Sequence, residues 1–124
     1  MSDNVNHPKH YENGPFECIE LTRLLSFDWG NVVKYCYRWQ SKNGIEDLRK
    51  AFWYAKDATM RGLPLYCEGH CDGSHVWPLL EHLAEIDWAG LSDVWTALTF
   101  GPHPKVLTVL VRKIAELENE KDGE

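Results

Sequence analysis

Residues 6–11 read NHPKHY. His7 and His10 titrate near neutral pH, so either can act as an acid or a base, hold a phosphate or bind a metal. Pro8 forces the preceding residue into an extended conformation, and Tyr11 offers a ring to a base or to a tryptophan. The same residues would also serve an arm that docks through His10 and Tyr11 and ties the terminus down.

A cationic stripe follows. Asn31, Lys34 and Arg38 recur at steps of three and four, with Lys42 after them, as one face of a helix requires. Arginine presents a planar fork to a phosphate and lysine a point charge. Asp47, Lys50, Tyr54 and Asp57 form a second polar stripe further along. Set against each other, the two stripes could grip a phosphate. The plainer reading is a solvated face with ion pairs such as Arg38–Asp47.

Carboxylates form a third group. Glu17 and Glu20 lie three apart, and Glu46 and Asp47 are adjacent. Such pairs on facing helices can hold Mg2+ for nucleotide chemistry. First-turn complementarity to the helix dipole accounts for Glu17, Glu46 and Asp47 without a metal. A fourth group is CEGHCDGSH, where Cys67, Cys71 and His75, with His82 beyond, have loose zinc spacing. Three residues separate the cysteines rather than two, so packing and loop chemistry is the stronger reading there.

The elements that must position these groups are helical. Pro15 and Glu17 suit the start of a short helix over FECIELTRLL, which SFDWG breaks. The periodicity of Val32, Val33, Cys36 and Trp39 predicts a helix over 30–42, ended by Asn43-Gly44. A third helix over 45–61 carries Ile45, Leu48, Phe52, Ala55 and Thr59 as its apolar stripe, with Gly62 as cap and Pro64 as stop. The short turn between these two helices makes an antiparallel hairpin. Further helices are expected over 78–86, 91–100 and 105–120, and no strand pattern is evident.

The totals bound the function. A chain of 124 residues with 44% hydrophobic and 26% charged residues fits one domain with its own core. Residues 1–62 hold nine Lys/Arg against eight Asp/Glu, and residues 63–124 hold four against eleven. The front half can accept an anion locally, while the acidic back half would repel duplex nucleic acid. No apolar run is long enough to span a membrane and no secretory signal is apparent, so a cytoplasmic protein with reduced cysteines is expected. No P-loop, nucleophile elbow or HExxH zinc motif occurs. Six tryptophans suit cores, interfaces and stacking against flat ligands.

Residues 6–57 resemble the SaV-like family of small bacteriophage proteins. That family's pattern is HPxHY, an acidic ECIE-type helix, GNxxKYxxR and KxGxEDLxKAxWY. The chain has His7-Pro8-Lys9-His10-Tyr11, then Glu17-Cys18-Ile19-Glu20. Gly30-Asn31-Val32-Val33-Lys34-Tyr35 with Arg38 follows, then Lys42 to Leu48, with Lys50-Ala51 and Trp53-Tyr54. Some members are labelled nucleotide kinases, after a phage enzyme that phosphorylates deoxynucleoside monophosphates without a P-loop.

These readings lead to an all-α protein built on a helical hairpin. Residues 1–62 would form the core with its N-terminal arm, and residues 63–124 an acidic helical extension. The resemblance implies a (deoxy)nucleoside monophosphate kinase in an infected bacterium. His10, Arg38 and Asp47 would be catalytic. His7, Tyr11, Asn31, Lys34, Tyr35, Lys50, Trp53 and Tyr54 would bind substrate. Glu17 and Glu20 would hold Mg2+. The expected partners are a nucleotide, a second copy of the chain and, in one reading, a host protein. Two rivals remain: a Mg2+-dependent all-α nucleotide pyrophosphohydrolase, and a binding protein that sequesters a nucleotide or a host protein.

Overall fold

Ser26 is extended (φ −63°, ψ 162°) and is followed by Phe27 and the acidic Asp28, and a helix starts there. The computed structural model describes residues 14–66 and 74–122, and its helices are α1 (Cys18–Thr22), α2 (Phe27–Arg38), α3 (Ile45–Arg61), α4 (Val76–Glu85), α5 (Ser92–Phe100) and α6 (Lys105–Asp122). The protein is all-α. Among the described residues the nearest thing to a strand is one isolated bridge between Leu25 and Tyr66. No helix among them is long and apolar enough to cross a membrane.

The stretch SFDWG therefore opens α2 instead of merely breaking α1. Its serine and aspartate are the residue types that favour a helix start. α1 is correspondingly shorter than expected. α2 ends at Arg38, and Trp39–Ser41 continues as a turn of 3-10 helix. α3 has the expected limits, and Gly62 caps it in the left-handed conformation (φ 64°, ψ 35°).

α2 and α3 pack more closely with each other than any other two helices. Contacts fix their direction. Ser26 Oγ donates to Pro64 O at 2.7 Å, and Trp29 Nε1 donates to Leu63 O at 3.1 Å, so the start of α2 meets the end of α3. Arg38 lies beside Asp47, so the end of α2 meets the start of α3. The helices are thus antiparallel. The buried side of α3 is Leu48, Ala51, Ala55 and Ala58, with Phe52 and Thr59 partly covered. That stripe is rotated from the expected one because the alanines, not the larger residues, let α2 approach.

α6 packs on α3, and α5 on α4 and α6, and one apolar cluster runs from Cys18 and Val32 to Leu98 and Leu110. Tryptophans tie the front of the chain to the back. Trp39 Nε1 donates to Ala89 O at 3.0 Å, and Trp88 Nε1 returns a bond to Tyr37 O at 2.9 Å. Trp95 Nε1 donates to Trp88 O at 2.9 Å. Each ring fills core volume while its one donor meets a backbone carbonyl, so the indole N–H is not left unpaired.

Candidate basic-aromatic site on the helical hairpin

The antiparallel pairing puts the cationic stripe of α2 opposite the polar stripe of α3. Tyr35 is the meeting point. Lys34 Nζ stands 4.6 Å from its ring centroid, Arg38 Cζ 5.2 Å and Lys50 Nζ 5.6 Å. Lys34 and Arg38 come from α2 and Lys50 from α3, so the hairpin is what gathers them. A ring face carries negative quadrupole, which offsets part of the repulsion among three nearby cations. Tyr54 of α3 stacks on Tyr35, with centroids 6.0 Å apart and planes at 17°. Phe27 and Trp53 each set an edge against Tyr54, at 6.1 Å and 5.1 Å. Phe27 is 76% exposed and Trp53 61%.

Asp47 sits beneath this group. It is fully buried at the first turn of α3. Asn43 donates to it through its backbone N–H at 3.3 Å and its amide Nδ2 at 3.4 Å, as a capping acid is held. Arg38 Nε stands 3.9 Å from Asp47 Oδ2, beyond hydrogen-bond distance. Arg38 Nε is buried and has no hydrogen-bond partner among the described residues. Arg38 is thereby held by charge rather than by a hydrogen bond. In this arrangement Asp47 orients Arg38.

The positive field reaches α1. Burial pushes the Cys18 thiol up to about 12, and Arg38 and Lys34 pull against that rise. Cys36 is also pushed up by burial, so both thiols are packing groups. Tyr37 is raised to about 12, first by burial, and its hydroxyl donates to Phe16 O.

Asn31 continues the stripe toward the start of α2, where its Nδ2 donates to Phe27 O at 3.0 Å. Beside it a groove of about 480 Å³ opens between α1 and α2, lined among others by Ile19, Thr22, Arg23, Phe27, Asn31 and Lys34. Gly30 lets the helices cross there, since a Cβ would meet Thr22 O at 3.2 Å.

The remaining candidates fall as follows. His7, His10 and Tyr11, and Cys67 and Cys71, lie outside the described residues. Glu17 directly precedes α1, Glu20 is exposed on it, and among the described residues no three metal-binding side chains converge. His75 and His82 are exposed at the two ends of α4. Phe27 was not anticipated from the sequence, because it falls in the stretch read as a helix break. The signal was Ser26 followed by Asp28, a helix start that would have placed Phe27 two turns before Lys34.

The fold and site define a small all-α protein with a basic-aromatic seam along a helical hairpin. A family described as a protein of unknown function (DUF3310) matches residues 5–56, which contain every member of the Tyr35 cluster. No curated protein matches, and no solved structure does.

Proposed function

We propose that the Tyr35 cluster is a phosphate site and that the protein handles nucleotides, most specifically as a P-loop-less (deoxy)nucleoside monophosphate kinase. The observation that carries this is the convergence of Lys34, Arg38 and Lys50 on one tyrosine ring from two helices. Three cations against one buried carboxylate leave local positive charge. Arg38 Nε, buried and without a hydrogen-bond partner among the described residues, is held beside Asp47 by charge alone. Phosphoryl transfer needs mainly positioning and charge neutralisation, which such a cluster supplies. Asp47 supports it by holding the guanidinium in place. The resemblance of residues 6–57 to SaV-like phage proteins leans the same way, with His7 and His10 as further candidate phosphate ligands.

Incubating the protein with each deoxynucleoside monophosphate, a nucleoside triphosphate and Mg2+ tests the reading. Diphosphate should form, and Arg38→Ala should abolish it. Pyrophosphate release from a triphosphate would instead identify the hydrolase. A second reading, binding without turnover, is favoured by the burial of Asp47, which leaves it poorly placed to take a proton from substrate. Micromolar nucleotide binding with no product would establish it.

A further inference from the structure

The cation cluster and the α1–α2 groove are one continuous surface. Lys34 both stands over Tyr35 and lines the groove. Phe27 both lines the groove and sets its edge against Tyr54, which stacks on Tyr35. One end of this surface is cationic. The other is apolar and open, with Phe27 76% and Ile19 48% exposed. Its volume of about 480 Å³ is that of a small-molecule site. The complementary ligand is anionic at one end and flat and weakly polar at the other.

We infer that the groove is the base subsite: Phe27 is the platform on which a nucleobase stacks, while the attached phosphates rest on Lys34, Arg38 and Lys50. Phe27 and Lys34 are seven residues apart on α2, so their Cα atoms are separated by about 10 Å along the axis at 1.5 Å per residue. That separation leaves room for a sugar between base and phosphate. Asn31 lies between them, and its side-chain oxygen has no hydrogen-bond partner among the described residues. It can accept from a sugar hydroxyl or an exocyclic amine. This assignment gives Trp53, which does not line the groove, no part in base recognition. It rests on the cluster being a phosphate site.

The test uses two probes on the full chain in calorimetric titrations. Inorganic tripolyphosphate reports the cluster alone, and dATP reports cluster and groove together. Phe27→Ala should weaken dATP about tenfold, the size expected for losing one base–aromatic stack, and leave tripolyphosphate unchanged. Phe27→Tyr should restore dATP binding. Because Phe27 is exposed apart from its edge contact with Tyr54, its replacement should lower the melting temperature only slightly, and a parallel melt verifies this. If Phe27→Ala leaves dATP unchanged and Trp53→Ala weakens it, the base lies on Trp53. That result overturns the groove assignment and leaves the phosphate site standing. If neither probe binds the unaltered protein, the phosphate site fails and the groove assignment with it.

Discussion

Tyr35 and Tyr54, one from each arm of the hairpin, stack with ring planes only 17° apart. The stack lies between the charged Lys34, Arg38 and Lys50 and the rings of Phe27 and Trp53, and it gives the seam between α2 and α3 an apolar spine. Cations can then gather at the surface without opening a wet gap between the helices. Stability and the proposed phosphate binding meet in these two rings, and substitutions can separate them.

Tyr35→Phe keeps the ring and should leave both stability and phosphate affinity close to those of the unaltered chain. Tyr35→Leu removes the stack and the cation contacts. It should lower stability by about 1–2 kcal/mol, the sum of an aromatic pair and partly exposed cation–π contacts. Urea midpoints for the two variants measure this. Equal losses would show that the hydroxyl, not the ring, matters.

Arg38 and Lys50 should behave differently although both face Tyr35. Lys50 is exposed, and Lys50→Ala should shift stability by under about 0.5 kcal/mol. Arg38→Ala leaves the fully buried Asp47 with Asn43 as its one side-chain partner among the described residues. It should cost about 1–3 kcal/mol. Both substitutions should weaken tripolyphosphate binding, and added salt should shrink the Lys50 effect more, since exposed charges are screened first. Melting curves and titrations at two salt concentrations check both halves of the expectation.

How far this was legible in the sequence depends on which physical signal each part leaves. The limits of α3 were readable because both ends carry backbone punctuation, Gly44 before it and Gly62 after it. The facing of Lys34 and Arg38 toward Lys50 and Tyr54 was readable because two stripes at helical spacing flank one short turn. The start of α2 was misjudged because Gly30 reads as a helix start, while its real reason is the close crossing of α1. The groove was invisible because it depends on the crossing of two helices, and no local pattern encodes that. Trp39 was legible in the apolar period of the second helix, while nothing in its local pattern marked Trp88. Their reciprocal bonds, which span about fifty residues of chain, were not legible.

Those reciprocal bonds make a prediction about how the two halves hold together. Trp39→Phe and Trp88→Phe each remove one indole donor and leave a backbone carbonyl, of Ala89 or Tyr37, without its partner. Each should cost about 1–3 kcal/mol. Because both bonds join the end of α2 to the turn at Trp88–Gly90, the double variant should lose less than the two singles combined. A double-mutant cycle in denaturant measures the coupling, and strict additivity would show that the bonds act independently.

The last prediction concerns pH and lies at the other end of the hairpin. Asp28, 6% exposed in the first turn of α2, faces Asp57 of α3. Burial raises the Asp28 pKa above its ordinary 3.8, a hydrogen bond to Asp57 and that residue's charge add to the rise, and Arg61 opposes it. Asp57 moves the other way, held down first by its hydrogen bond from Arg61, whose Nε lies 3.0 Å from Oδ1. From pH 3.8 up to the raised value, the folded chain keeps a proton on Asp28 that the unfolded chain has released. Asp28 therefore favours folding less as pH rises through that interval. Asp57 does the reverse: its contribution is present above 3.8 and fades as pH falls below it. Asp28→Asn keeps the shape and removes the titration. It should raise the melting temperature by a few degrees at pH 7, on the order of 1 kcal/mol, with the gain vanishing near pH 3. Asp57→Asn should lower the melting temperature at pH 7, because Arg61 loses its partner. A lower melting temperature for Asp28→Asn at pH 7 would mean that the Asp28 carboxylate stabilises the start of α2 more than its burial beside Asp57 costs.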